Sequence, residues 1–333
     1  MEDRKRDHIE MAFDSSVAGE QLDHRFYYEP LLAGHPQSDP EPFSFLNKTM
    51  RVPIWVSSMT GGTKWASKIN ENLARACGQF GMGMGLGSCR PLLDGRQHLE
   101  DFDVRKYIGA DAPLFANIGI AQIEEFYKEG NFNQMQDLMG QLQVDGLIVH
   151  INPLQEWLQP EGDRYFISPI VLLDWVLDQT DDPIIVKEVG HGFGKRSLEA
   201  LLQRPIAAID FGANGGTNFS KLEMMRSDEQ TKMIYEPISY VGHSALDMLQ
   251  MSNELVASLG DKVQCQSLII SGGVKTFLDG YFLTRNSQLP AIYGQAAAFL
   301  KHARGSYEEL ERYVEMQVRG LALAQQFLTP KPI

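Results

Sequence analysis

The strongest constraint on the fold is a unit that recurs eight times along the chain. Each copy is a short apolar run, a small or polar tip, and then a helical stretch. The runs are VPIWVSS (52–58), GMGMGLGS (81–88), LFANIG (114–119), GLIVHIN (146–152), IIVKEVG (184–190), AAIDFGA (207–213), SLIISGG (267–273) and AIYGQAA (291–297). Most are continuously apolar rather than alternating, the pattern of parallel strands buried on both faces. The intervening stretches are amphipathic. KWASKINENLARACGQF, for example, sets Ile69, Leu73, Ala76, Cys77 and Phe80 at helical spacing. Eight β–α units in one chain predict an α/β fold, a (β/α)8 TIM barrel. Residues 1–333 then read as one decorated domain. Residues 1–50 form an N-terminal extension over one end, and the polar segment 220–243 after strand six is an insertion of the kind that acts as a lid.

Composition removes several classes. Hydrophobic residues make up 43% and charged residues 22%, which excludes disorder, collagen and coiled coil. Thirty basic against 43 acidic residues leave −13, which argues against nucleic acid as a partner. Cys77, Cys89 and Cys265 are too few and too scattered for a disulfide framework or a cysteine zinc site. The opening MEDRKRDHIE lacks the apolar core of a secretory signal, and no apolar run approaches 18 residues. A cytoplasmic enzyme with no membrane partner is the expectation. Many of the 30 glycines fall at strand tips: Gly61 and Gly62, Gly85 and Gly87, Gly119, Gly190, Gly212, Gly215 and Gly216, Gly272 and Gly273. Barrel active sites are built at those tips, and glycine there lets a ligand approach the backbone.

Five motifs carry chemistry. SGG at 271–273 and YGQAA at 293–297 close strands seven and eight, whose loops bind phosphate in many barrels. Lys187, set among Ile184, Ile185, Val186 and Val189, points into the polar mouth and needs an anion; the alternative is an ion pair with Glu188. HINPLQE (150–156) gathers an imidazole, two amides and a carboxylate, and Pro153 places them on a strand-end loop. Such a set suits a polyanion with a hard divalent cation. Arg4, Lys5, Arg6 and His8 are basic, as is Arg90 in GSCR, and basic residues near the mouth of an acidic protein favour an anionic substrate. GGTNFSKLE (215–223) adds Thr217, Asn218, Ser220 and Glu223.

Taken in order, these residues resemble the type 2 isopentenyl-diphosphate Δ-isomerases, FMN-dependent barrel enzymes. The resemblance runs from Arg4 to about Leu300. It is carried by RKRDHI (4–9), SSMTGG (57–62), GSCR (87–90), ANIG (116–119), HINPLQE, VKEVG (186–190), GGTNFSKLE and SGG. It implies that Arg4 and Lys5, with Ser88, Cys89 and Arg90, bind the substrate diphosphate. His150, Asn152 and Gln155 would line the substrate site, and Glu156 would hold a bridging Mg²⁺. Met59, Thr60, Gly61, Ser88, Asn117, Lys187 and Thr217 would hold the flavin, with Gly272, Gly273, Ala296 and Ala297 at its phosphate. The implied reaction is isopentenyl diphosphate to dimethylallyl diphosphate, with a proton added at C4 and one removed from C2. Reduced FMN would be the acid–base catalyst, Lys187 would steady its N1/O2 edge, Gln155 and His150 would assist, and NADPH would serve only to reduce the flavin. A homotetramer or homo-octamer is also implied.

The chain departs from the family pattern in three places. Cys89 stands where glutamine is common, Lys275 near the usual arginine, and YVGHS (240–244) where a WGIPT-like stretch is usual. The competing class is an FMN-dependent 2-hydroxy-acid oxidase, which needs a histidine with a nearby arginine after strand seven. After SGG the chain offers Lys275 and no histidine. A non-catalytic phosphate-binding barrel is the third class, and it does not require HINPLQE and Lys187 together.

Overall fold

The computed structural model describes residues 2–37, 42–57, 64–93, 95 and 98–333. Eight parallel strands close into a barrel. They are β1 (Ile54–Val56), β2 (Gly83–Gly85), β3 (Leu114–Gly119), β4 (Gly146–Ile151), β5 (Ile184–Glu188), β6 (Ala208–Asp210), β7 (Leu268–Ser271) and β8 (Ala291–Gln295). All eight fall within the apolar runs. Strand β8 closes on β1 through Tyr293–Ile54, Gly294–Trp55 and Gln295–Val56.

Side chains alternate across each strand, so residues two apart share a face. One face packs outward beneath the helices, with Ile54, Val56, Ile118, Val149, Val186 and Ile270 in the large outer core. The other face fills the barrel. Its lower layer is apolar: Trp55, Phe115, Ile148, Ile185, Ala208, Ile269 and Ile292 form a single cluster. An antiparallel hairpin, Phe43–Phe45 with Lys48–Met50, supplies Phe45, Leu46 and Met50 to that cluster and plugs the barrel's amino-terminal end. Two residues further along the same faces the layer turns polar: Ser57, Asn117, His150, Lys187, Asp210 and Ser271. The period of two therefore places a polar ring above an apolar plug.

The chain ends meet outside the barrel, where Phe26–Tyr28 pairs antiparallel with Leu328–Pro330. After β6 the polar segment folds as helices Phe219–Arg226 and Glu229–Tyr235 and a 3₁₀ turn Glu236–Tyr240. Asn218 and Asp228 cap the two helices by accepting from Lys221 N (2.8 Å) and Thr231 N (2.9 Å). Helix Phe219–Arg226 packs on the helix after β4 and so reaches across the mouth. Among the described residues no helix is long and apolar enough to cross a membrane.

One expectation is corrected. Pro153 begins a helix, Pro153–Leu158, rather than holding HINPLQE in a loop. Proline at the first helical position loses no hydrogen bond and its fixed φ suits the turn. Gln155 and Glu156 are thus held on a helix.

Candidate active site

The first half of the site lies at the tips of β5, β6, β7 and β8. A cavity of about 450 Å³ is lined there by Lys187, Thr217, Ser271, the Gly272–Gly273 and Ala296–Ala297 loops, and Ser57. More than half of its lining residues are glycine or alanine. Gly272 has φ +92°, and a Cβ there would lie 2.0 Å from the Ala213 carbonyl oxygen. Gly212 has φ +52°, and a Cβ there would lie 1.9 Å from the Glu188 carbonyl oxygen. These glycines let successive tips pack backbone on backbone and leave room for a flat ligand.

Lys187 is 8% exposed and forms no ion pair among the described residues. Its Nζ donates to the Glu188 carbonyl oxygen at 2.6 Å. The Glu188 carboxylate is used elsewhere: Oε2 accepts from the N–H groups of Gly190, His191 and Gly192 at 2.7, 2.6 and 2.8 Å. The alternative of a Lys187–Glu188 ion pair is thereby removed. In register, Lys187 lies beside His150 on β4 and Asp210 on β6. The Asp210 carboxyl is fully buried. Ser271 Oγ donates to Oδ1 at 2.5 Å, and Oδ2 has no partner. Burial pushes this carboxyl above its usual range, against the opposing pull of Lys187, Ser271 and the Gly212 N–H.

The second half lies at the tips of β2, β3 and β4. Asn117 Nδ2 donates to the Leu86 carbonyl at 3.2 Å, which leaves its Oδ1 to accept from His150 Nδ1 at 2.9 Å. Burial, with the positive Lys187 as a second cause, pushes the His150 imidazole down to about 3. The ring is neutral near pH 7 and keeps a lone pair on Nε2. Asn152 Nδ2 donates to Gln155 Oε1 (3.2 Å) and Glu156 Oε1 (2.9 Å). Glu156 Oε2 accepts from Asp163 N at 2.7 Å. Asp163 in turn pairs with Arg90 (2.6 Å) and accepts from Gln122 Nε2 (2.8 Å). Arg90, Gln122, Asn152, Gln155, Glu156 and Asp163 form one connected network.

The other expected residues divide. Ser88 is exposed at the β2 tip and accepts from Arg90 N at 3.5 Å. The Cys89 thiol is buried against the Gly87 carbonyl, with burial pushing it up to about 12, so it offers neither a side-chain contact nor a thiolate. Arg4 and Lys5 lie on helix Glu2–Met11, whose described side chains from Arg4 onward are all exposed. Among the described residues neither is bonded to a residue of the barrel mouth. Met59, Thr60 and Gly61 lie outside the described residues.

No family model matches the chain. It is 34% identical over 329 residues to an isopentenyl-diphosphate delta-isomerase of Rickettsia felis, covering 96% of this chain and 91% of that protein. The chain belongs to the isopentenyl-diphosphate delta-isomerases. A second member, from Rickettsia bellii, is 33% identical over 326 residues at 96% and 91% coverage. The protein is thus an enzyme of the isomerase class, on the barrel that the eight runs predict. Solved structures show the same fold at low identity. A flavocytochrome b2 with sulfite bound superposes with a TM-score of 0.60 at 14% identity, covering 95% of this chain and 78% of that one. A mandelate oxidase with a monooxide FMN adduct superposes with a TM-score of 0.57 at 11% identity, covering 93% and 88%.

Sequence reasoning passed over Asp210, Asp163 and Gln122 in this candidate site. Asp210 was legible in principle, because it lies two residues past Ala208 as Lys187 does past Ile185. Asp163 was not. It meets Arg90 across 73 residues of chain, and no periodicity connects them.

Proposed function

We propose that the enzyme converts isopentenyl diphosphate to dimethylallyl diphosphate on reduced FMN. Glu156 would hold the Mg²⁺ that offsets the diphosphate charge, and NAD(P)H would supply the reducing equivalents. Family membership supports the reaction. The observation that supports the flavin is the unpaired, buried Lys187 in a glycine-walled cavity.

The cavity fits such a group in its own chemistry. Ser57 Oγ and Gln295 Oε1 are buried at its wall without partners among the described residues. Buried polar atoms of this kind call for a ligand or water. The Gly272–Gly273 and Ala296–Ala297 loops present backbone where a phosphate would sit, with Thr217 and Lys187 along the ring. Asn117 and Ser88, at the tips of β3 and β2, would complete the flavin site from the other side of the mouth. When bound, reduced FMN supplies an electron-rich face and a transferable proton beside the alkene.

The protein's own part is binding, orientation and field. Lys187 holds positive charge against an anionic ring edge. His150, neutral and fixed by Asn117, offers Nε2 as an acceptor without adding a charge that would repel a carbocation-like centre. Gln155 and Asn152 orient polar groups over the same space. Arg90 with Ser88 meets the diphosphate, and Glu156 supplies a carboxylate to the metal. Among the described residues no group of three or more His, Cys, Asp or Glu side chains is placed to hold a metal. A single carboxylate suits Mg²⁺ when phosphate oxygens and water fill the remaining positions. Arg4 and Lys5 would join the diphosphate only if the exposed helix swung to the mouth. The reading also takes the chain as one decorated cytoplasmic domain, segment 220–243 as its lid, and a homotetramer or homo-octamer as its assembly.

The test is anaerobic incubation of isopentenyl diphosphate with enzyme, FMN, NADPH and Mg²⁺. Dimethylallyl diphosphate is expected. Its absence in protein that carries flavin absorbance overturns the reaction, and absence of any flavin binding overturns the cofactor.

A further inference from the structure

Two ionisable groups share the upper interior layer without pairing. Lys187 and Asp210 are register partners on adjacent strands and both face the barrel interior. Yet Lys187 Nζ is turned to the Glu188 carbonyl, and no ion pair joins it to Asp210. Asp210 is 0% exposed. Its only side-chain donor among the described residues is Ser271 Oγ, itself held by Gly212 N donating to it at 2.9 Å. Oδ2 is buried with nothing to accept from. A carboxylate in that position carries a desolvation cost that one hydroxyl does not offset. A neutral carboxyl does not.

We propose that Asp210 is a positioning residue for Lys187. It holds a proton in the working enzyme, and so leaves the lysine charge uncompensated and directed at the ligand in the β5–β8 cavity. Ionised, Asp210 would stand beside Lys187 and cancel much of its field. Neutral, it serves as a hydrogen-bonded spacer that keeps Ser271 and the Gly212 turn in place. The groups that face it are Lys187 from β5, Ser271 from β7 and the Gly212 N–H beyond β6, with His150, itself neutral, on the far side of Lys187. Among the described residues no other charged group opposes Lys187 from within the layer. The inference rests on the flavin reading for what Lys187 acts upon, but not for the protonation of Asp210.

The experiment compares the full-length wild type with Asp210→Asn in two arms. Asparagine keeps an oxygen for Ser271 and mimics the neutral acid. The first arm needs no flavin: unfolding by urea, with and without FMN, at pH 5, 6 and 7. A carboxyl neutral in the fold but ionised when unfolded makes the wild type lose stability relative to Asp210→Asn as pH rises above about 4. The expected change is about tenfold in the relative unfolding constant per pH unit. A difference that stays flat from pH 5 to 7 means an ionised Asp210 and overturns the proposal. The second arm measures the midpoint potential of bound FMN at pH 6. The two proteins are expected to coincide. A potential raised in Asp210→Asn by about 30 mV, a tenfold change in the preference for the reduced flavin, means that Asp210 offsets Lys187 in the wild type and also overturns it. If Asp210→Asn does not fold, Ser271→Ala serves in the first arm. It keeps the carboxyl and removes its side-chain donor, and because a carboxyl neutral in both proteins already gives the one-proton slope, the stability difference from the wild type should stay flat from pH 5 to 7. A difference that grows as pH rises means a carboxyl ionised in the wild type and refutes the neutral assignment. A protein that binds no FMN defeats the cofactor reading alone, since the first arm still decides Asp210.

Discussion

Replacing Lys187 with methionine removes a charge while keeping length and apolar bulk. The structure sets the expected size of the effect. Lys187 is 8% exposed, makes no ion pair among the described residues, and lies on the cavity wall. Two unit charges about 5 Å apart at an effective dielectric of about 20 interact by about 3 kcal/mol. That is about a hundredfold in relative affinity, or about 60 mV for a two-electron couple. Lys187→Met is therefore expected to lower the FMN midpoint potential by about that amount. Oxidised FMN should bind nearly as well as to the wild type, because the ring then carries no charge at that edge. The fold should not suffer. A buried ammonium without a carboxylate partner is costly, and methionine fills the same space. The assay is equilibrium titration with a redox dye, paired with thermal unfolding of the flavin-free protein. An unchanged potential with flavin bound would refute the electrostatic role. A large drop in Tm without a change in potential would make Lys187 a structural residue.

Other outcomes follow from the same geometry. Glu156→Gln should weaken Mg²⁺-dependent substrate binding about tenfold or more with little change in Tm, and an intact Mg²⁺ dependence of KM would exclude the metal role. Asp163→Asn should release Arg90 and raise KM by about as much, since charge-assisted hydrogen bonds contribute roughly 1.5–3 kcal/mol; an unchanged KM would place Arg90 away from the diphosphate. His150 has its folded value lowered to about 3 from the ordinary 6.5. Its contribution to stability is therefore fully present above about 6.5 and is lost as pH falls from there toward about 3. The stability gap between wild type and His150→Gln should shrink over that window, and a constant gap would mean a solvated, titrating ring. Gly272→Ala forces a Cβ to within 2.0 Å of the Ala213 carbonyl at φ +92°, so it should cost about 3 kcal/mol or more and abolish flavin retention. Normal flavin content in that variant would show that the loop yields.

Much of the site was legible because its residues sit at strand tips. Lys187, His150 and Asn117 each occupy an inward position two residues past an apolar one, and a run of apolar residues that suddenly admits a polar side chain at its end marks the barrel mouth. Local grammar misled at Pro153, where proline reads as a breaker but here starts a helix and fixes Glu156 upon it. It also misled at Cys89. The resemblance set Cys89 among the diphosphate binders, yet the thiol turns inward against Gly87 while its neighbours Ser88 and Arg90 face out.

The sequence by itself determined the barrel. Eight apolar runs with helical spacers leave one economical way to bury both faces of every strand, and that order survives whatever the loops do. Tertiary structure alone decided which charges meet. The Arg90–Asp163 pair spans loops from different strands, and the solitude of Lys187 follows from Glu188 being occupied by three backbone N–H groups. The protonation of Asp210 belongs to the same level, because the cost of a buried charge depends on every group around it, and neighbours on β5 and β7 cannot be read from β6.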